Sequence, residues 1–418
     1  MEFLLLNQCF YPDVAATGQY LTDLALELIG RGHKVTVVTG DRGYDDPTKR
    51  FSRRQTWRGI EIIRIRSVSL GKERKWRRAL NFGSFLLHCA LRLLLLPRFD
   101  AVVALTSPPL ISLLGSLFVQ LKGGRFFFWV MDLNPDEAIA ADWLNASSMP
   151  ARVLQAFLRY SLRQAEKIIV LDRFMKRRII LGKNIPERKI SVLPPWARDD
   201  AVRYDEQGRQ SFRRRHDLSE SFVVMYAGNH SPCHPLDTLL EAARRLADRQ
   251  EIAFCFVGGG SEQNKVRTFA ARHSLKNIVC LPYQPLDELS GSLSAADLHV
   301  VVMGEQFVGI VHPCKVYNIL AVGSPLLYIG PEESHITDIA RQNEGGVSIY
   351  SARHGDVESV VNHISEAVAL NSSDAAARTM ACTEMFSRGS LLPGMIGLLE
   401  AVSTTSPVAA TAVSQTSV

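Results

Sequence analysis

A lysine stands near the start of an expected helix in Val311–Pro325, VHPCKVYNILAVGSP. Helix N-termini favour anions over cations. Lys315 is therefore best accommodated if a bound anion lies between its ammonium and the free backbone N–H groups of the first turn. Such a pair would neutralise a diphosphate. His312 sits at the mouth of the same turn, and Asn318, one turn on, would reach an attached ribose. The plain alternative is a surface lysine on an ordinary helix; the preceding turn out of a strand, VGIVHP, favours the ligand.

Other stretches end an apolar run in residues suited to polar contacts. In MYAGNHSPCHPLDT, Gly228 and Asn229 can present backbone N–H groups to a phosphate, with His230 and His234 adding hydrogen bonds. Two histidines without a carboxylate pair are poor metal ligands as a set, and no metal is expected. In FVGGGSE, Gly258 and Gly259 form either a turn or a bend that gives a nucleotide room. In LPYQPLDEL, Tyr283 could stack on a planar base. FWVMDLNPDEAI places Asp132 directly after a strand, where a carboxylate can orient or deprotonate a hydroxyl; Asp136 follows one turn later. Helix capping is the competing role for both. In FYPDVAATGQY, Thr17 and Gly18 would let a ligand approach the backbone, unless the loop is a simple turn.

Those residues need a scaffold of strands whose carboxyl ends converge. EFLLLNQ, HKVTVVTG, DAVVALTSPP, RFFFWVMD and EKIIVLD read as strands of a covered parallel sheet. GQYLTDLALELIGRG places Leu21, Leu24, Ala25 and Leu28 on one helical face. After the Arg-rich stretch near residue 200 the alternation restarts with SFVVMYAGN, IAFCFVGGG, NIVCLPY, LHVVVMG and GSPLLYIG. The expectation is two doubly wound, Rossmann-like parallel-sheet domains, 1–200 and 201–384, facing a central cleft. The tail 403–418 is small and polar and reads as disordered.

Composition narrows the class. The 418 residues are 46% hydrophobic and 22% charged, with a net charge of +6. The seven cysteines form no C-x-x-C pair, which fits reduced thiols in a cytoplasm. MEFLLLNQCFYP lacks the basic region and cleavage site of a secretory signal and reads as a first strand. In residues 72–96, Lys72, Arg74, Lys75, Arg77 and Arg78 precede the apolar FGSFLLHCALRLLLL, which is short for a membrane span. The segment suits an anionic membrane surface, with a core helix beneath a solvated basic face as the alternative. Nucleic acid is not an expected partner, because stacking platforms and binding motifs are missing. No G-x-G-x-x-G occurs, which weighs against a nicotinamide-dependent oxidoreductase.

In their order and spacing, FYPDVAATGQYLTDLALELIGRGHKVTVVTG, WVMDLNPDEAI, EKIIVLDRFMKRRI, ISVLPPWA, VVMYAGNH, FVGGG, LPYQP, LSAADLHVV and HPCKVYNILAVGSP resemble a family 4 glycosyltransferase of the GT-B fold. The subgroup it resembles assembles colanic acid, O-antigen and other exopolysaccharides. The resemblance implies retaining transfer from a nucleotide-diphosphate sugar bound by the second domain to an acceptor on the first, such as a polyprenyl-diphosphate-linked glycan. It implies no cofactor or divalent metal, and a last helix, 385–402, crossing back to the first domain; the thiols and the 72–96 segment add the expectation of a cytoplasmic enzyme peripheral to the membrane. Three positions depart from the pattern. Ile310 and Asn318 replace two glutamates, NHSPCH replaces an Arg/Lys loop, and Met131 replaces a histidine before Asp132. The lost glutamates leave a catalytically silent partner subunit as the alternative.

Overall fold

The computed structural model describes residues 1–13, 15–43, 48–68, 75–197, 202–342, 346–371 and 384–401. Lys72, Arg74 and the 403–418 tail lie outside these residues, as do the side chains of Lys75, Trp76 and Arg78.

Strands β1 (Glu2–Leu6), β2 (Lys34–Gly40), β3 (Arg54–Trp57), β4 (Ile60–Ile65), β5 (Ala101–Ala104), β6 (Arg125–Val130), β7 (Lys167–Val170) and β8 (Ile190–Val192) form the first sheet. Their order is β3-β4-β2-β1-β5-β6-β7-β8. Side chains alternate across it, so Leu4 and Leu6 enter one buried layer while Phe3 and Leu5 enter the other. The expected all-parallel sheet needs one correction: β3 runs antiparallel to β4. Only Arg58 and Gly59 connect them, at φ 48° and 82°. A two-residue link with positive φ at both positions makes a hairpin and cannot make a parallel crossover.

Strands β9 (Phe222–Asn229), β10 (Ile252–Gly259), β11 (Ile278–Leu281), β12 (Leu298–Val302), β13 (Leu326–Ile329) and β14 (Ile349–Ala352) form a second, parallel sheet in the order β11-β10-β9-β12-β13-β14. The helix Arg388–Glu400 returns to the first sheet. Its Leu392, Met395, Ile396 and Leu399 are buried with Phe3, Leu5, Leu21, Leu24 and Leu28. Each such side chain contributes about 1.5–3 kcal/mol of hydrophobic stabilisation, which ties the chain's end to its first helix.

The two sheets meet along the loops at their carboxyl ends. The Leu133 N–H donates to the Ile310 carbonyl at 2.8 Å, and Arg178 donates to the Val308 carbonyl at 3.2 Å. Gly309, at φ +68°, lies so close to Phe174 that a Cβ there would stand 2.7 Å from that residue's backbone. Glycine is required at this crossing by both conformation and space.

Candidate active site

On the second domain, the loop after β9 meets the helix Lys315–Ala321. This helix begins three residues later than His312, with Cys314 as a cap that makes no side-chain hydrogen bond. Only seven residues long, it leaves charge neutralisation mainly to the lysine side chain rather than to a row of backbone N–H groups. The Lys315 ammonium lies 3.6 Å from the centre of the Tyr226 ring and finds no hydrogen-bond partner among the described residues. Burial pushes its pKa down to about 7. The ring face partly offsets the desolvation of the cation, but three N–H donors remain unused.

Around that ammonium are a Gly-shaped space and further unsatisfied groups. A Cβ on Gly228, at φ +127°, would stand 3.3 Å from the Lys315 Nζ. The Asn318 Oδ1 is buried and has no hydrogen-bond partner among the described residues. His230 is fully buried, 4.9 Å from the Tyr226 ring, and neither ring nitrogen makes a hydrogen bond of good geometry, although the Gly228 and Gly259 carbonyls are near. Burial, and secondarily the charge of Lys315, pushes His230 down to about 4, so it is neutral near pH 7. An unpaired buried polar group costs about 1–3 kcal/mol. A cluster of them around one cation fits an anionic ligand carrying hydroxyl groups.

The neighbouring glycines have a different task from the one expected. Gly258, at φ +129°, has no room for a Cβ because the Gly228 carbonyl occupies its place. Gly260 is closed in the same way by the His230 carbonyl, and the His230 N–H donates to the Gly259 carbonyl at 2.7 Å. Gly258 therefore serves the crossing of the two loops rather than direct ligand contact. Asn229 is exposed at the same edge. Tyr283 lies against Gly259, its hydroxyl 3.3 Å from that carbonyl, and remains 42% exposed, leaving ring surface available to a planar group. His234 is committed elsewhere, to the Val302 carbonyl at 2.7 Å.

On the first domain, Asp132 follows β6, and its N–H donates to the Thr106 hydroxyl. Burial, with the charge of Glu137 adding, pushes its carboxyl up to about 8. Asp132 also raises the thiol of Cys314, after the larger effect of burial, so its charge is felt at the start of the Lys315 helix. Glu137 is a second carboxylate that sequence reading passed over. It accepts from Asn134 at 3.1 Å and approaches the Cys233 thiol of the other domain at 3.9 Å. Its position five residues after Asp132, at the opening of the helix Asp136–Ala140, was the available signal.

Three further expectations need correction. Asp136 is bound to Lys183 at 2.9 Å and to Gln155 at 3.0 Å, which removes it from an acceptor role. Gly18 is buried, and a Cβ there would stand 3.1 Å from the Cys9 backbone, so protein fills the space proposed for a ligand. Thr17 is half-buried beside Asn7, whose amide donates to its hydroxyl at 3.4 Å. His312 cannot offer itself to a donor: its Nδ1 faces Asp172 at 2.7 Å and its Nε2 faces the Tyr317 hydroxyl at 2.8 Å.

Asp172, His312 and His335 are the one group of metal-ligating side-chain types drawn together among the described residues. The two imidazoles are stacked 3.7 Å apart and within 23° of parallel. A bound metal lies in the plane of each imidazole that ligates it, and planes stacked this way do not meet at one point beside Asp172. Asp172, His312 and Tyr317 instead form a hydrogen-bond relay, with His335 stacked beside it. Burial alone would raise the Asp172 carboxyl, but the hydrogen bond and charge of His312, with His335 and the Met175 N–H, hold it down at about 2.

Two facing α/β domains, with a buried lysine on one lip and two carboxyl groups on the other, share the GT-B fold of solved glycosyltransferases. Residues 16–196 match the glycosyl transferase 4-like domain, and residues 208–380 match the glycosyl transferases group 1 domain. The chain belongs to the family 4 glycosyltransferases and is a transferase enzyme of the GT-B fold. It is 24% identical over 343 residues to a putative colanic acid biosynthesis glycosyl transferase, WcaI, of Escherichia coli, covering 77% of this chain and 82% of that one. It is 25% identical over 244 residues to the probable glycosyltransferase WbjE of Pseudomonas aeruginosa, covering 58% and 60% of the two chains. Among solved structures, Anabaena HepE with UDP and glucose superimposes with a TM-score of 0.72 at 13% identity, covering 96% of this chain and all of that one. WaaG, a glycosyltransferase involved in lipopolysaccharide biosynthesis, gives 0.67 at 15% identity, covering 95% and 99%.

Proposed function

We propose that this enzyme transfers a sugar, with retention, from a nucleotide-diphosphate sugar to a polyprenyl-diphosphate-linked glycan during cell-surface polysaccharide assembly. The observation that carries the donor assignment is the buried Lys315 ammonium beside Gly228, which has no hydrogen-bond partner among the described residues, with Asn318 and His230 likewise unsatisfied around it. Lys315 would neutralise the leaving diphosphate, Asn318 would meet the ribose, and Tyr283 the base. Asp132 would orient the acceptor hydroxyl. In this reading the acceptor attacks on the same face from which the diphosphate departs, and the leaving phosphate oxygen takes the proton. The polysaccharide context is supported by the WcaI relative, and a nucleotide donor by the UDP held in HepE. Neither the silent-subunit nor the oxidoreductase alternative draws support from these relatives. A thermal-shift and hydrolysis screen against UDP-, GDP- and dTDP-sugars tests the reading. Stabilisation and slow hydrolysis by one nucleotide class are expected; no response to any would refute it.

Attachment to the cytoplasmic face of a membrane belongs to the same proposal. Among the described residues no helix is long and apolar enough to cross a membrane. The helix Lys75–Leu94 turns Phe85, Cys89 and Leu93 into the core, yet exposes Leu80, Leu87, Leu91 and Leu94, with Leu95 just beyond it. It is thus both a core helix and an apolar surface. Exposed Leu121, on the helix Ile111–Lys122, and exposed Met149, Val153 and Phe157, on the helix Met149–Gln164, extend the apolar surface of this domain, with exposed Arg152 and Arg159 among them. Leu87→Glu with Leu91→Glu is expected to move the protein off vesicles containing anionic lipid in a sedimentation assay while leaving donor hydrolysis intact. Unchanged sedimentation would remove this surface from the account.

A further inference from the structure

We propose that Asp172, a residue of the first domain, positions Lys315 for donor binding on the second, acting through His312 and Tyr317. The inference rests on the reading that Lys315 holds the donor diphosphate.

Asp172 divides its two oxygens between two tasks. Oδ1 accepts the Met175 N–H at 2.7 Å and caps the helix Arg173–Lys183 of its own domain. Oδ2 faces the His312 Nδ1 at 2.7 Å across the domain boundary. The other nitrogen of the same ring meets the Tyr317 hydroxyl at 2.8 Å. One imidazole therefore fixes a point three residues before Lys315 and a point two residues after it, and Asp172 fixes the imidazole. His335 stacks on the ring at 3.7 Å and closes one of its faces.

The helix beginning at Lys315 is packed through Val316, Tyr317, Ile319 and Leu320, but its start has no side-chain cap. Its cap residue, Cys314, makes no side-chain cap bond; its thiol instead donates to the His312 carbonyl at 3.2 Å. A seven-residue helix without a cap has little stability of its own. The relay adds a polar restraint at that start, and its hydrogen bond to the ionised Asp172 carboxylate is of the stronger kind. Adjacent contacts keep the relay in register: Arg173 grips Asp338 through two bonds at 2.6 and 3.1 Å. Nothing on the first domain need touch the nucleotide for that domain to control how well the nucleotide is held. Contact between the domains orders the lysine, and the lysine meets the phosphates.

The test uses Asp172→Ser, which keeps a capping oxygen for the Met175 N–H but is too short to reach His312, and Asp172→Asn, which keeps both the cap and the reach. Calorimetry is run on the full chain with UDP, GDP and dTDP, following whichever binds the wild type. Asp172→Ser is expected to weaken nucleoside diphosphate binding about tenfold, with Asp172→Asn restoring most of it. In a Lys315→Ala background Asp172→Ser should add less than about twofold, since coupled residues are not additive. Wild-type affinity in Asp172→Ser, or a full tenfold loss in the Lys315→Ala background, would overturn the positioning role while leaving Lys315 in place. Undiminished binding by Lys315→Ala alone would instead overturn the donor reading beneath it. Melting temperatures of all variants identify any loss that comes from unfolding.

Discussion

Lys315→Ala is expected to lower the transfer rate by about a hundred- to a thousandfold, equivalent to about 3–4 kcal/mol of lost transition-state stabilisation. The charge that builds on the departing diphosphate would lose its nearest cation. The same substitution should leave the melting temperature unchanged or raise it. The ammonium is buried, and its hydrogen-bond donors have no partner among the described residues, so removing it relieves desolvation without breaking a bond. This pairing of a large kinetic loss with no stability loss separates a ligand-binding lysine from a structural one. Steady-state transfer assays and thermal unfolding on the same preparation measure both. Activity within a few-fold of wild type would remove Lys315 from the chemistry.

Asp132→Asn should reduce transfer by about a hundredfold or more while nucleoside diphosphate affinity stays at the wild-type value, because the residue is proposed to orient the acceptor. The pH dependence follows from the sign of the shift. Burial and the Glu137 charge push the Asp132 carboxyl up to about 8. If the ionised carboxylate orients the acceptor, activity rises as pH climbs through that region and is lost as pH falls below it. Glu137→Gln removes a neighbouring negative charge, so ionisation becomes easier and the rising limb should move to lower pH. Cys314 and Cys233 also face this pair, but burial raises both thiols, so they stay uncharged over the same range. A limb that stays in place in Glu137→Gln would show that the two carboxylates are not coupled in the working enzyme.

Sequence reading reached the two sheets because their central strands are continuous apolar runs, such as FVVMYAG and LHVVV, whose burial on both faces is written into composition. It passed over β3, because RQTW is short, polar and exposed along most of its length. Lys315 and Asn318 could be singled out because their oddity is local: a cation and an amide in the first turn of a helix after a strand. The roles of Asp136, Gly18 and His312 were not legible, since each is decided by a partner from another part of the chain. Lys183 lies 47 residues from Asp136, and Asp172 lies 140 residues from His312. Gly18 looked like an opening for a ligand and is filled by the Cys9–Phe10 backbone. Glu137 acquires its meaning only when the fold sets it near Asp132 and Cys233.

The central claim is that the buried Lys315 ammonium awaits a diphosphate. With no anion beside it, burial holds its pKa at about 7, so at pH 8 most molecules carry a neutral amine. A bound diphosphate would favour the charged form and draw a proton from solution. Calorimetric titration of the nucleoside diphosphate at pH 8, in buffers of different ionisation enthalpy, counts that proton. Wild type should take up close to one proton per diphosphate bound, and Lys315→Ala, titrated at higher concentration to offset its weaker affinity, should take up almost none. Binding without proton uptake by the wild type, or equal uptake by the two proteins, would contradict the assignment.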